Sequence, residues 1–316
     1  MEIRTFQPGD EAAQVAIYNE SAGSLPRFKP ATLQEVEKRT RARDFDPARR
    51  FLVEEEGRLV GYASFNVNGR VSCPWLLPGY QHLAEPLFAH LIQTMKKRGM
   101  TRAFAAYRAD WSAVNDFFLT HGFTKVRDMV NYVIDLVDMP TPPARPSSSI
   151  TPLEKSDVPA FLAMAPEVIR AKSALELERC LFHNPYFFPE ALFLLRSRSD
   201  NAPIAVGILI VNPKYADPKA VDAGMPCYRL GAFGSEGMTT KRINGLFSFL
   251  VRADQNTTAL GLDLLGHAAY QLREADELEA LAAQAPSDAP KLANFYERNF
   301  RRQGSFPVLE RDLARS

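Results

Sequence analysis

The chain has 316 residues, 46% of them apolar and 24% charged, and a formal net charge of +1, the make-up of a soluble globular protein long enough for two domains. A balance so close to neutral gives no basis for a nucleic-acid partner or a polyanionic substrate. Three cysteines without paired or metal-ligand spacing, a first stretch with no leader character, and no apolar run of bilayer length point to a reduced, cytoplasmic protein with no membrane partner.

In chain order, Ile3 to Asp10 reads as a strand running into a helix N-cap. Phe51 to Phe65, with Glu56-Gly57 at its middle, reads as a hairpin. From Trp75 the pattern is strand, tight loop (Pro78-Gly79-Tyr80) and helix, whose stripe Leu87, Phe88, Leu91, Ile92 and Met95 has three-and-four spacing. Lys96, Lys97 and Arg98 suit the last turn and Gly99 the stop. A strand over Ala103–Tyr107 follows, then Asp110 as the cap of a helix that ends at Gly122-Phe123. A strand that feeds a helix through a short loop aims free N–H groups at whatever lies above, which suits an anion such as a pyrophosphate.

Residues 138–149, with four prolines and a serine run, read as a linker between a domain at 1–137 and another at 150–316. Beyond it the chain repeats itself. Ile150 to Asp157 matches Ile3 to Asp10, and the hairpin leading to Gly207 matches the one leading to Gly61, with the intervening distances differing by one residue. That is a duplication at domain scale. The second half is longer by an insertion near 212–240. The strand Leu246–Val251 then leads to Thr258, Gly261 and Asp263, a helix reaching about Glu274, and a close at Phe295-Tyr296 to Phe300.

The order Pro78-Gly79-Tyr80-Gln81, helix, strand, then Phe117-Phe118 to Gly122-Phe123, resembles the acetyl-CoA core of the GNAT superfamily of N-acetyltransferases. That family carries a Q/R-x-x-G-x-G/A loop and closes the next helix with F-Y-x-x-x-G-F. Here the loop reads Gln81-x-x-Ala84-x-Pro86, with Phe118 at the family tyrosine; the second half keeps Gly261 and Tyr296. The resemblance implies an α/β fold, an α+β mixed sheet in each of two tandem GNAT-like acyl-CoA N-acyltransferase domains.

It further implies acetyl-CoA as co-substrate, and a small-molecule or peptide amine as acceptor. The cofactor would meet Leu76, Leu77, Gln81, His82, Leu83, Ala84, Glu85, Pro86 and Leu87 in the first half, and Leu250, Val251 and Gly261 in the second. Leu76-Leu77 or Leu250-Val251 would supply the main-chain N–H for the oxyanion. Gln81, with no carboxylate facing the phosphates, makes the first half the expected tighter CoA site, whereas Asp263 burdens the second. Tyr296 holds the family's proton-donating position, which Phe118 cannot fill, so turnover is expected in the second half. An alternative is a degenerate acyl-CoA-binding or interaction protein of the same fold.

His82, Glu85 and His90 lack H-E-x-x-H spacing, and no metal is expected there. Cys73 and Cys227 read as buried small hydrophobes. The acceptor, the general base and the oligomeric state have no signature in the sequence.

Overall fold

A computed structural model describes residues 1–41, 45–141, 143, 144, 149–164, 169, 171, 173–183, 189–211, 243–273 and 279–314. The expected insertion near 212–240, with Cys227, lies outside them. The first elements are β1 (Glu2–Thr5), α1 (Glu11–Ala22), α2 (Leu33–Thr40), β2 (Arg50–Glu55), β3 (Arg58–Ser64), β4 (Trp75–Leu76), α3 (Ala84–Lys97), β5 (Arg102–Ala106), α4 (Ser112–Thr120) and β6 (Thr124–Asp135). There follow β7 (Ile150–Pro152), α5 (Val158–Met164), α6 (Ala174–Phe182), β8 (Leu192–Arg196), β9 (Pro203–Val211), β10 (Ile243–Val251), α7 (Thr257–Leu272), β11 (Ala280–Pro286), α8 (Pro290–Asn299) and β12 (Arg301–Asp312).

The chain divides into two compact units, Met1–Met129 with Gly304–Ser316, and Val130–Gln303. In the first, β1, β2, β3 and β4 form an antiparallel sheet in that order. The predicted stripe of α3 is buried, with Leu87, Leu91 and Met95 fully enclosed; at ~25 cal/mol per Å² each such side chain contributes about 1.5–3 kcal/mol. Pro86 is the third residue of α3, inside the first turn, where its missing N–H removes no helix bond.

The strand beside β5 comes from the far end of the chain. Val308 pairs with Ala106, and the antiparallel register runs on to Asp312 opposite Arg102. Leu309 and Leu313 pack into the same core as Ala103 and Ala105, while Leu313 N–H donates to Thr101 O (2.9 Å) and Arg311 Nη1 to His121 O (2.9 Å).

In the second unit β7, β8, β9 and β10 are antiparallel neighbours, and β11 lies parallel on β10. Here the closing segment precedes the proline-rich stretch. Val130, Tyr132 and Ile134 enter the core, Gln284 Nε2 donates to Asn131 Oδ1 (2.7 Å), and Leu136 N–H donates to Glu279 O (3.0 Å).

The chain therefore crosses between units inside β6 and again inside β12, not within 138–149 as the proline content suggested. Hydrogen bonding explains the difference: a strand edge left open on β5 or β11 would expose a row of unpaired N–H and C=O groups, and each is covered by a segment distant in sequence.

The duplicated aspartates share one task by different means. Asp10 takes two bonds from the Arg4 guanidinium (both 2.8 Å) and one from Gln7 N–H (2.7 Å). Asp157 takes two from Arg196 (2.9 and 3.0 Å) and one from Glu154 N–H (3.1 Å). Asp10 stands at the N-cap of α1 but makes no side-chain cap bond, because its oxygens serve the turn behind it and Arg4.

Hydrogen bonding from Arg4 holds the Asp10 carboxyl below the usual carboxylate range. A depressed folded-state value stabilises above the unfolded pKa and is lost as pH falls through the folded one, so the first unit loses this contribution below about pH 4. The two tryptophans, Trp75 and Trp111, both lie in that unit, so their fluorescence reports it selectively. Asp10→Asn should flatten the acid limb of an unfolding titration followed this way; an unaltered limb would assign it to other groups.

Candidate active site

In each unit two parallel strands start side by side and then part. In the first, Val71 N–H donates to Phe104 O and Phe104 N–H to Gly69 O (both 2.9 Å), but β4 just beyond pairs only with β3 among the described residues. In the second, β10 pairs with β11 from Ile243 to Leu246 and no further, while its other edge stays paired with β9 to Val251. Each parting leaves a gap edged by main-chain polar groups at the sheet's centre.

The gap of the first unit is filled from within. Tyr107, just past β5, accepts a hydrogen bond from Cys73 N–H on its hydroxyl (2.8 Å). Its ring stacks on Trp111 (5.9 Å) and Phe118 (5.8 Å), and Trp75 meets it edge-on at 6.1 Å. Trp111 is fixed by donating to Pro26 O (2.8 Å). Burial raises Tyr107 well above an ordinary phenol and pushes the Cys73 thiol up to about 12, so neither ionises near neutrality. Asp110, expected as a helix cap, pairs with Arg108 instead (3.0 Å), and Trp111 stands at the N-cap of α4 without a side-chain bond to the helix N-terminus.

The loop residues singled out in this half are engaged locally. Leu77 N–H donates to Val60 O (2.8 Å), and Gln81 Oε1 accepts from Gly79 N–H (3.0 Å). Leu76 pairs with Gly61; Leu83 and Leu87 are buried in the core, and Ala84 opens α3. Glu85, in the first turn of α3, binds His121 Nε2 (2.9 Å), which sets a carboxylate at that helix start. His82 faces Glu55 at 3.8 Å and His90 packs edge-on to Phe51 (4.8 Å), so the three residues weighed as metal ligands make separate contacts. Among the described residues no group of three or more His, Cys, Asp or Glu could hold a metal ion, and no helix is long and apolar enough to cross a membrane.

The second unit differs at both ends of its gap. Tyr296 is fully buried, stacked on Tyr132 (5.4 Å) and edge-on to Phe249 (5.7 Å) and Phe300 (5.0 Å). Its hydroxyl has no hydrogen bond of good geometry, although the Ser248 side chain and the Phe249 main chain lie close enough to act on it. A buried hydroxyl left so costs about 1–3 kcal/mol. Burial raises its pKa beyond that of an ordinary phenol. Leu250 and Val251 lie beyond the point where β10 parts from β11.

At the other end is an open recess, formed by Asn256, Thr257 and Thr258 at the start of α7 and by Lys291, Asn294 and Arg298 of α8. Asn256 caps α7 by accepting from Ala259 N–H (3.1 Å). Lys291 donates to Ala253 O (3.3 Å), and Arg298 has no hydrogen bond or ion pair among the described residues. Asp254 also lines the recess, and its carboxylate is matched by Arg252 (2.7 and 3.1 Å). Helix N-terminus and two cations together favour an anion.

The sequence suggested a loop from Thr258 to Asp263, but α7 already starts at Thr257. Asp263 is thereby moved into the second turn, about 9 Å along the axis at 1.5 Å per residue, which lifts the objection to an anion here. Gly261 is a packing residue within the helix: a Cβ there would lie 2.7 Å from Phe295 and 2.8 Å from Phe249. Lys291, Asn294 and Arg298 were not singled out from the sequence, though their i, i+3, i+7 spacing marks one face of a helix.

Residues 15–123 match the model of a family described as Acetyltransferase (GNAT). Solved structures similar over 99% of the chain include a GCN5-related N-acetyltransferase from Sphaerobacter thermophilus (15% identity, 95% of that chain, TM-score 0.67). A tandem GNAT protein from the clavulanic acid biosynthesis pathway (16%, 98%, 0.53) and a GNAT-family acetyltransferase from Colwellia psychrerythraea (13%, 100%, 0.51) are similar over the same extent. At these identities the likeness is one of fold. No curated protein matches the chain by sequence.

Proposed function

We propose that the chain, whose fold is that of GNAT-type proteins along its whole length and whose residues 15–123 match the GNAT family model, is an acyl-CoA-dependent N-acyltransferase whose working site is in the second unit, with acetyl-CoA as co-substrate and an amine as acceptor. The observation that carries the proposal is the Tyr296 hydroxyl, buried without a hydrogen-bond partner beside the main chain where β10 leaves β11.

The residues present fit the co-substrate. The start of α7 with Lys291 and Arg298 would take the diphosphate, and the gap between β10 and β11 would take the arm that follows. Acyl-CoA supplies a thioester carbonyl: the amine nitrogen bonds to its carbon, the carbon–sulfur bond breaks, the nitrogen gives up a proton and the sulfur gains one. Tyr296, held protonated at neutral pH by burial, is placed to supply that proton.

In the first unit the Cys73 N–H is taken by Tyr107 and the Leu77 N–H by Val60 O, and Phe118 offers no proton. We therefore assign the CoA site to the second unit, not to the loop at Gln81, and a non-catalytic part to the first.

The test is release of free thiol from acetyl-CoA with a panel of small amines and peptides. Amine-dependent release, with amide product by mass spectrometry, is the expected result. Acetyl-CoA binding without any amine-dependent release would favour the degenerate binding protein instead.

A further inference from the structure

We propose that a recess of the first unit, between α1 and the tip of the β2–β3 hairpin, binds a free α-amino acid with an apolar side chain, Glu20 taking its ammonium and Arg58 its carboxylate. The proposal is independent of where acyl transfer occurs.

The recess has a volume of about 380 Å³, near the lower end of the roughly 300–1,000 Å³ usual for small-ligand sites. The sequence of α1 creates it. Ala13, Ala16, Ile17 and Glu20 stand at i, i+3, i+4 and i+7 and so share one face of the helix. Ile17 is buried, but positions 13 and 16 carry a single methyl group each, where larger side chains would close the space between helix and sheet. Below them Leu77 is buried and anchored by its N–H on Val60 O (2.8 Å), and Leu59 completes an apolar floor.

The opposite wall is the hairpin tip. Glu56 and Gly57 both have positive φ (51° and 75°), as in the two-residue turns whose twist suits paired strands. Glu55 pairs with Arg58 across that turn, which fixes where the Arg58 side chain leaves the main chain.

Of the residues that line the recess, Glu20 and Arg58 alone are charged, one on each wall. Neither side chain has a hydrogen bond or an ion pair among the described residues. The acids that precede the turn are engaged elsewhere, Glu54 with Arg4 (3.7 Å) and Glu55 with His82 (3.8 Å). Glu20 stands in the last turn of α1, which holds no basic residue. A carboxylate there adds to the negative end of the helix dipole instead of opposing it, so this wall favours a cation.

A simple cation or anion would meet a charge of the wrong sign on one wall. An occupant that carries both signs is matched on both, and the apolar floor between them takes a hydrocarbon side chain. An α-amino acid is the smallest molecule with all three parts, and the volume favours one such unit over a longer peptide.

The full chain would be titrated by calorimetry with leucine and phenylalanine, and with three probes that each lack one part: N-acetylleucine without the ammonium, leucinamide without the carboxylate, and glycine without the side chain. Saturable binding of leucine or phenylalanine is expected, at least tenfold tighter than that of any of the three. Glu20→Gln and Arg58→Gln, both at exposed positions, should each weaken it at least tenfold with circular dichroism unchanged, and Ala16→Phe should abolish it by filling the recess. These variants also separate this site from any amine-acceptor site in the second unit, whose binding they would leave intact. No saturable binding of either amino acid, unchanged affinity in Glu20→Gln, Arg58→Gln or Ala16→Phe, or equally tight binding of any of the three probes would each overturn the proposal.

Discussion

Replacing Tyr296 by phenylalanine should lower the turnover of acetyl-CoA by about 10²-fold or more while leaving its binding nearly unchanged, because a positioned general acid is typically worth that much. The substitution removes one oxygen that has no hydrogen-bond partner, so it should not unfold the second unit; deleting an unsatisfied buried hydroxyl is neutral or stabilising. The pH profile separates chemistry from packing. Burial raises the Tyr296 pKa; its protonated form is the active one and is lost only as pH rises through that raised value, above the ordinary phenol value of about 10. Any fall in rate below that pH belongs to another group and should persist in the variant. A Tyr296→Phe enzyme with wild-type turnover would reduce the tyrosine to an element of the aromatic core.

The second large effect concerns binding. Lys291→Gln combined with Arg298→Gln should weaken acetyl-CoA binding roughly 10- to 100-fold, since each charge-assisted contact to a phosphate is worth about 1.5–3 kcal/mol before solvent screening reduces it. Gln81→Ala in the first unit should leave affinity unchanged, because Gln81 serves Gly79 N–H within its own loop. Calorimetry on the two variants assigns the co-substrate to one unit. A loss confined to Gln81→Ala would move it to the first.

Much of this arrangement was legible in the residues. The apolar stripe of α3, the two hairpins and the repeated Ile-to-Asp openings all depend on spacing within a short window, and all appear as elements. What the sequence could not convey depends on partners far away. Nothing in Val308–Asp312 says that its hydrogen bonds go to β5 rather than to the half in which it is written. Gly261 looks like a phosphate-loop glycine until Phe249 and Phe295 are seen to leave no room for a Cβ. Asp110 looks like a cap until Arg108 is seen to hold it. The plugging of the first gap was equally hidden: Tyr107 follows β5 and Cys73 precedes β4, and only the fold brings hydroxyl and amide together. The basic face of α8 was readable as Lys291, Asn294 and Arg298, but a charged helix face is usually just solvated, and without α7 beside it nothing distinguished the two.

The strand that β5 borrows from the end of the chain bears on the order in which the protein can be made. Domains commonly fold as they leave the ribosome, the N-terminal one first. Here the N-terminal unit lacks its last strand until residue 312 has emerged, whereas Val130–Gln303 is complete sooner. The usual sequence is reversed: the C-terminal unit matures while the first waits with the edge of β5 uncovered, and that waiting edge is where a chaperone, or a second nascent chain, would find the protein vulnerable.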